Sequence, residues 1–137
     1  MADLLAEVGE LDSELLAAGE GFATIRAGLA DALKAMEEAT AWLIANGSAD
    51  HNDAMAGSTP YLRMFGQLVG GWLLARLALG AQRRLEAGEG NNDFLATKVI
   101  AARFYAEQLL PVVRAQLGAV TAGKRDLFEV PAGSFSV

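Results

Sequence analysis

Apolar side chains in this chain recur every three or four positions through long segments, and glycine, proline or asparagine interrupts the pattern at each end. Such spacing places them on one face of a helix. Strands would need sustained alternation and β-branched enrichment, and neither occurs. Leu4, Leu5, Val8, Leu11, Leu15 and Leu16 predict a first helix over about 2–18, ended by Gly19 and Gly21. Phe22, Ile25, Leu29, Ala32, Met36, Ala39 and Leu43 predict a second over about 21–46, with Asn46-Gly47 as its stop. Residues 47–59 are small and polar and read as a loop holding at most one helical turn. Thr59-Pro60 then fits an N-cap followed by proline at the first helical position. The alternative is a continuous helix kinked at Pro60.

The third segment, about 60–87, is apolar nearly all round between Met64 and Ala81, so it should be the most buried member. Gly66, Gly70, Gly71 and Gly80 weaken an isolated helix and make sense where another backbone comes close. A fourth segment, about 92–122, carries Leu95, Val99, Ala102, Ala106, Leu109, Val113, Leu117 and Val120 on one face. Pro111 should interrupt it near 107–110. Residues 124–137 read as an extended tail, with Leu127, Phe128, Val130 and Phe135 free to dock. The expectation is a single all-α domain over 1–137, a four-helix bundle with a short extended C-terminal tail.

Charge narrows the partners. Residues 1–25 hold six acids and no base, while 26–137 hold eleven of each, so the whole excess of −6 sits on the first segment. That opposes nucleic-acid binding, which wants a basic stripe, and binding to an anionic membrane surface. Asp3 and Glu7 stand where a secretory signal would be basic, so a cytoplasmic protein is expected. Membrane insertion is not expected of residues 64–81, because Gln67 and Arg76 interrupt the run.

Candidate chemistry is sparse. The chain has no cysteine and one histidine, His51, which removes thiolate catalysis and multi-histidine metal sites. No metal role is expected of His51, which reads as a solvated loop residue. Arg76 on the apolar third segment calls for a partner, and Glu37, Glu38 or Glu107 would supply a buried ion pair. A ligand or partner contact is the other reading of Arg76. Glu37 and Glu38 point about 100° apart on a helix, so they cannot form a dyad. Gln82-Arg83-Arg84 suits a helix C-terminus and would also suit a phosphate. Trp42, Ile44, Phe104 and Tyr105 are candidate interface residues. No catalytic residue emerges.

The stretch Tyr61-Leu62-Arg63-Met64-Phe65-Gly66-Gln67-Leu68-Val69-Gly70-Gly71-Trp72-Leu73-Leu74-Ala75-Arg76 is the most distinctive in the chain. Together with Ala39-Thr40-Ala41-Trp42-Leu43, the run from Lys98 to Leu110 and the ending Asp126-Leu127-Phe128-Glu129-Val130, it resembles the extra C-terminal helical domain of large bacterial acyl-CoA dehydrogenases. The resemblance spans about 20–130. It implies the last domain of a longer enzyme that uses FAD to dehydrogenate an acyl-CoA thioester at the α,β positions. It also implies that the catalytic domains are the partners, that the flavin and catalytic glutamate lie in those domains, and that this chain alone is inactive. A homodimer is the expected assembly. A free-standing helical adaptor without enzymatic activity is the alternative.

Overall fold

The computed structural model describes residues 2–135, and among them there is no strand. Four long helices carry the architecture: α1 (Ala2–Ala17), α2 (Ala23–Ala49), α3 (His51–Glu86) and α4 (Asn92–Gln108). Three short ones follow: α5 (Pro111–Ala115), α6 (Leu117–Thr121) and α7 (Arg125–Phe128). Single 3₁₀ turns stand at Glu20–Phe22 and Ala132–Phe135. The protein is all-α, with α3 between α2 and α4, α1 laid mainly on α2, and α5 and α6 crossing both α2 and α3.

The core follows the three-and-four spacing with two corrections: Leu16 and Leu109, expected on the inner stripes, are exposed, and Leu110 is buried in place of Leu109 because the helix breaks after Gln108. Leu15, Ile25, Met36, Met64, Leu68, Leu110, Val113 and Val120 are fully enclosed. Pro111 breaks the fourth segment as expected. Helix α4 ends at Gln108, and Pro111 opens α5 at a position where no intrahelical N–H is needed.

The corner between α2 and α3 departs from the expected loop. Helix α2 runs through Gly47 to Ala49, and α3 starts at once at His51. Asp50 makes the corner. Its backbone is extended (φ −145°, ψ 114°), and its carboxylate accepts from the Asn52 N–H at 2.9 Å as the N-cap of α3. The polar residues read as loop markers are absorbed by the helices: Asn46 Nδ2 donates to Trp42 O at 2.9 Å, and Ser48 Oγ to Ile44 O at 2.6 Å. Gly47 lets two helices meet rather than stopping one, since a Cβ there would lie 2.8 Å from Ala54 Cβ. Pro60 therefore lies inside α3, not at its start. At 36 residues α3 is about 54 Å long.

The tail also differs. Beyond Gly123 the chain forms α7 and a 3₁₀ turn instead of an extended tail, and Leu127, Phe128, Val130 and Phe135 stay exposed. A staple holds its root: the Lys124 N–H donates to Asp53 Oδ1 at 2.8 Å, and Lys124 Nζ donates to the Asp50 carboxylate.

Candidate functional site

Two sides of α3 must be distinguished before any site can be placed. Gly57, Met64, Leu68, Gly71, Ala75, Ala78 and Leu79 face inward. The glycines among them serve close approaches: a Cβ on Gly57 would lie 2.8 Å from Val120 O, and one on Gly71 would lie 2.7 Å from Leu110 Cδ2. A second stripe begins at Met55 and continues through Leu62, Gly66, Val69, Leu73, Leu77 and Gly80, again in steps of three, four or seven. It faces outward, with Leu62 68% exposed, Leu73 47% and Leu77 57%. The expectation that α3 is enclosed on most sides is thus corrected. By length and composition α3 is also the one described helix apolar enough to cross a membrane, and 44% of its most apolar window is buried inside the chain.

Helix α4 extends that outer face. Tyr105 Oη donates to Gln67 O at 3.1 Å and lies 2.6 Å from where a Cβ on Gly70 would be. Burial pushes its phenol above the ordinary value. With the two helices antiparallel, the exposed positions Phe94, Ala101 and Phe104 of α4 flank the outer stripe of α3. Lys98 covers one edge, its Nζ 4.5 Å from the Phe94 ring centroid. The sequence reading named Phe104 and missed Leu62, Leu73, Leu77 and Phe94. The signal was available as a second apolar stripe beside the core stripe on one helix.

The four expected interface residues do not share a surface. Phe104 and Ile44 are exposed, Ile44 by 66%, but Trp42 and Tyr105 are half-buried. Trp42 rests by Gly123 and Tyr105 packs on α3. Gly28 meets Ala106, so Phe104, about 200° round α4 from Ala106, points away from α2 at the level of Gly28, whereas Ile44 is about 24 Å farther along that helix.

The expected buried ion pair does not form. Arg76 is exposed and stacks over Trp72, with the guanidinium carbon 5.0 Å from the ring centroid. It lines a groove of about 360 Å³ with Glu7, Glu10, Leu11, Glu14 and Trp72, facing the acidic α1 and none of Glu37, Glu38 or Glu107. Glu38 lies instead 3.6 Å from Arg114, whose main partner is Asp31 at 2.6 Å. Glu37 and Glu107 are exposed. Arg76 can stay in water because α1 covers α3 only along one edge, so no desolvation forces a partner on it. Of the Gln82-Arg83-Arg84 run, Gln82 bonds Glu86 at 2.9 Å and Arg83 bonds Glu14 at 2.7 Å. His51 is exposed at the first position of α3, and no group of three or more possible metal ligands forms among the described residues.

A largely apolar groove of about 390 Å³ lies between α1 and α2, floored by Val8, Leu15, Leu29 and Leu33. Its donor set does not fit a dinucleotide such as FAD. Arg26 is already committed to Asp12 through two hydrogen bonds of 2.7 and 2.9 Å, and the remaining charged lining, Lys34 with the carboxylates of Asp12 and Glu37, sets two acids against one other cation where a pyrophosphate needs donors. The same bonds hold the Asp12 carboxyl below its ordinary value.

Comparison with known proteins gives one family, described as acetyl-CoA dehydrogenase C-terminal like, which matches residues 4–131. The chain is 33% identical over 114 residues to 3-methylmercaptopropionyl-CoA dehydrogenase of Ruegeria pomeroyi, covering 83% of this chain and 19% of that protein. It is 32% identical over 81 residues to the broad-specificity linear acyl-CoA dehydrogenase FadE5 of Mycobacterium tuberculosis, covering 58% of this chain and 13% of that protein. The chain therefore spans less than a fifth of the length of these curated relatives.

Proposed function

Because this chain belongs to the acetyl-CoA dehydrogenase C-terminal-like family, we propose that it serves as a structural and assembly module of an FAD-dependent acyl-CoA dehydrogenase in the cytoplasm. The parent reaction is α,β-dehydrogenation of an acyl-CoA thioester. The module takes no chemical step. It packs on the catalytic domains and adds to the contacts between subunits, most simply in a homodimer. The observation that carries the reading is the uncovered apolar face of α3 and α4, which an assembly module needs and an isolated monomer does not.

A chimera tests this. The matched 114-residue stretch of the Ruegeria pomeroyi enzyme is deleted, or replaced by the corresponding part of this chain. The replacement should purify with flavin and turn over its acyl-CoA substrate, and the deletion should lose both. The chain alone should be colourless and inert toward acyl-CoA with an artificial electron acceptor. Stoichiometric FAD on the isolated chain, or turnover by it, rejects the reading.

A further inference from the structure

The outer stripe of α3 is self-complementary in size when reversed, large residues falling opposite small ones. Reading from Leu62, the order is Leu62, Gly66, Val69, Leu73, Leu77, Gly80. An antiparallel copy of α3, paired about position 71, sets Leu62 opposite the second copy's Gly80 and Val69 opposite its Leu73, and brings its Leu77 within one residue, about 1.5 Å of rise, of the position opposite Gly66. A two-fold repeats every pair. Each leucine near an end meets a glycine, and the central contacts are aliphatic on both sides.

The glycines need such an explanation. Gly66 and Gly80 lie inside a long helix, where each costs about 1 kcal/mol relative to alanine. Unlike Gly57, Gly70 and Gly71, they meet nothing in their own chain, since a Cβ at either has open space around it. A large side chain from another molecule would use that space.

Area supports a second copy. The chain exposes 8196 Å², which exceeds by about 1,400 Å² the roughly 6,800 Å² expected of a compact monomer of this mass. A standard interface hides about 800 Å² on each partner, so the excess is enough for one. Charge does not oppose the pairing. The acidic α1 borders α3 along Trp72–Glu86, and the two-fold places that half of α3 against residues 56–70 of the other copy, so the two acidic helices do not come opposite each other.

We propose that the outer face of α3, flanked by Phe94, Ala101 and Phe104 of α4, is a homotypic interface in which two copies pair their α3 helices antiparallel about position 71. This deepens the assembly role proposed above by naming the face and the register. It needs no catalytic partner, so its failure is separable from failure of the chimera.

Sedimentation velocity on the full chain from about 1 to 100 µM is the test. The chain should be dimeric at the upper end. Leu73→Glu with Leu77→Glu should give a monomer of unchanged helical circular dichroism, while Ile44→Glu, exposed but off the face, should stay dimeric. The register is tested by Gly66→Leu, which fills the space reserved for the second copy's Leu77. It should raise the dimer dissociation constant at least tenfold while the monomer melts no lower. A wild-type chain that is monomeric at 100 µM overturns the proposal and leaves the face to another occupant, such as the body of a dehydrogenase. A Gly66→Leu dimer as tight as wild type overturns the register, whatever the leucine variants do.

Discussion

The inner and outer sides of α3 are built from the same residue types and meet opposite surroundings. Inward lie Met64, Leu68, Gly71, Ala75 and Leu79, all buried, and outward lie Leu62, Gly66, Val69, Leu73 and Leu77, exposed or half-exposed. Apolarity alone therefore does not say which side the chain itself covers. What separates the sides is the size of the groups across from them. Inward, Leu110, Val120 and the backbone of α6 already fill the space over the glycines, and outward that space is empty. The outer side matches the inner one in composition and lacks only its neighbour.

The largest effect tests this contrast directly. Leu68 is 1% exposed, so Leu68→Ala should cost about 2–5 kcal/mol through lost transfer energy and a residual cavity. Leu73→Ala removes the same atoms from the other side and should change stability by less than about 0.5 kcal/mol in the dissociated chain. Urea unfolding at low concentration compares the two. Equal losses would mean that the outer side is covered within one chain.

Much of this fold is legible in the sequence, and the failures have a common cause. Three-and-four spacing locates α1, α2 and α4, and Pro111 marks the break after Gln108, because ring geometry and a missing N–H act locally. The polar stretch before Pro60 misleads because Asn46 and Ser48 bond carbonyls of their own helix, and Gly47 provides for a crossing. Both facts depend on where α3 goes. Arg76 misleads for the same reason. On a helix apolar all round, a charge looks buried until a neighbour is found to be missing, and the sequence does not number the neighbours. Of the candidate face, the sequence points to Phe104, Tyr105 and the glycines Gly66, Gly70 and Gly80 but not to its exposed leucines, since exposure on a core helix is a property of packing.

A second pair of substitutions sharpens the contrast at the backbone. Gly57→Ala puts a methyl 2.8 Å from Val120 O and 3.2 Å from Leu43 Cδ2, so α6 must shift. A loss of about 1–3 kcal/mol is expected. Gly80→Ala meets open space and should stabilise the monomer by up to about 1 kcal/mol through helix propensity. Thermal melts of the dissociated chain should move in opposite directions. A destabilising Gly80→Ala would place an unseen group against the outer side.

Polar contacts around the periphery should matter less, and they do so with a definite pH dependence. Asp50 is held below its ordinary value first by the hydrogen bond from Lys124 and then by the Asn52 N–H. Asp12 is shifted the same way by Arg26. In this window the unfolded chain binds more protons, so stability rises with pH. The contribution is present above the unfolded carboxylate value of about 3.9 and is lost as pH falls through the folded one. Melts from pH 6 to 2.5 should fall on the acid side, and Asp50→Asn should flatten that fall. An unchanged acid limb in Asp50→Asn would remove the Lys124 staple from the account.

Arg76 gives the smallest expected effect and sits where the two sides of α3 meet. Its guanidinium lies over Trp72, beside the groove that α1 lines with Glu7, Glu10 and Glu14. An exposed stack of this kind contributes about 0.5–1 kcal/mol, whereas breaking a buried pair costs about 3–5. Arg76→Ala should therefore lower stability by no more than about 1 kcal/mol. The loss should shrink further in 1 M salt, where the field of the three glutamates is screened within about 3 Å. Arg83 keeps its bond to Glu14 in that variant and holds the edge of α1 in place. A loss above about 3 kcal/mol that salt leaves intact would mean that α1 closes over Arg76 in solution. The boundary between the covered and uncovered sides of α3 would then lie one helical row farther out.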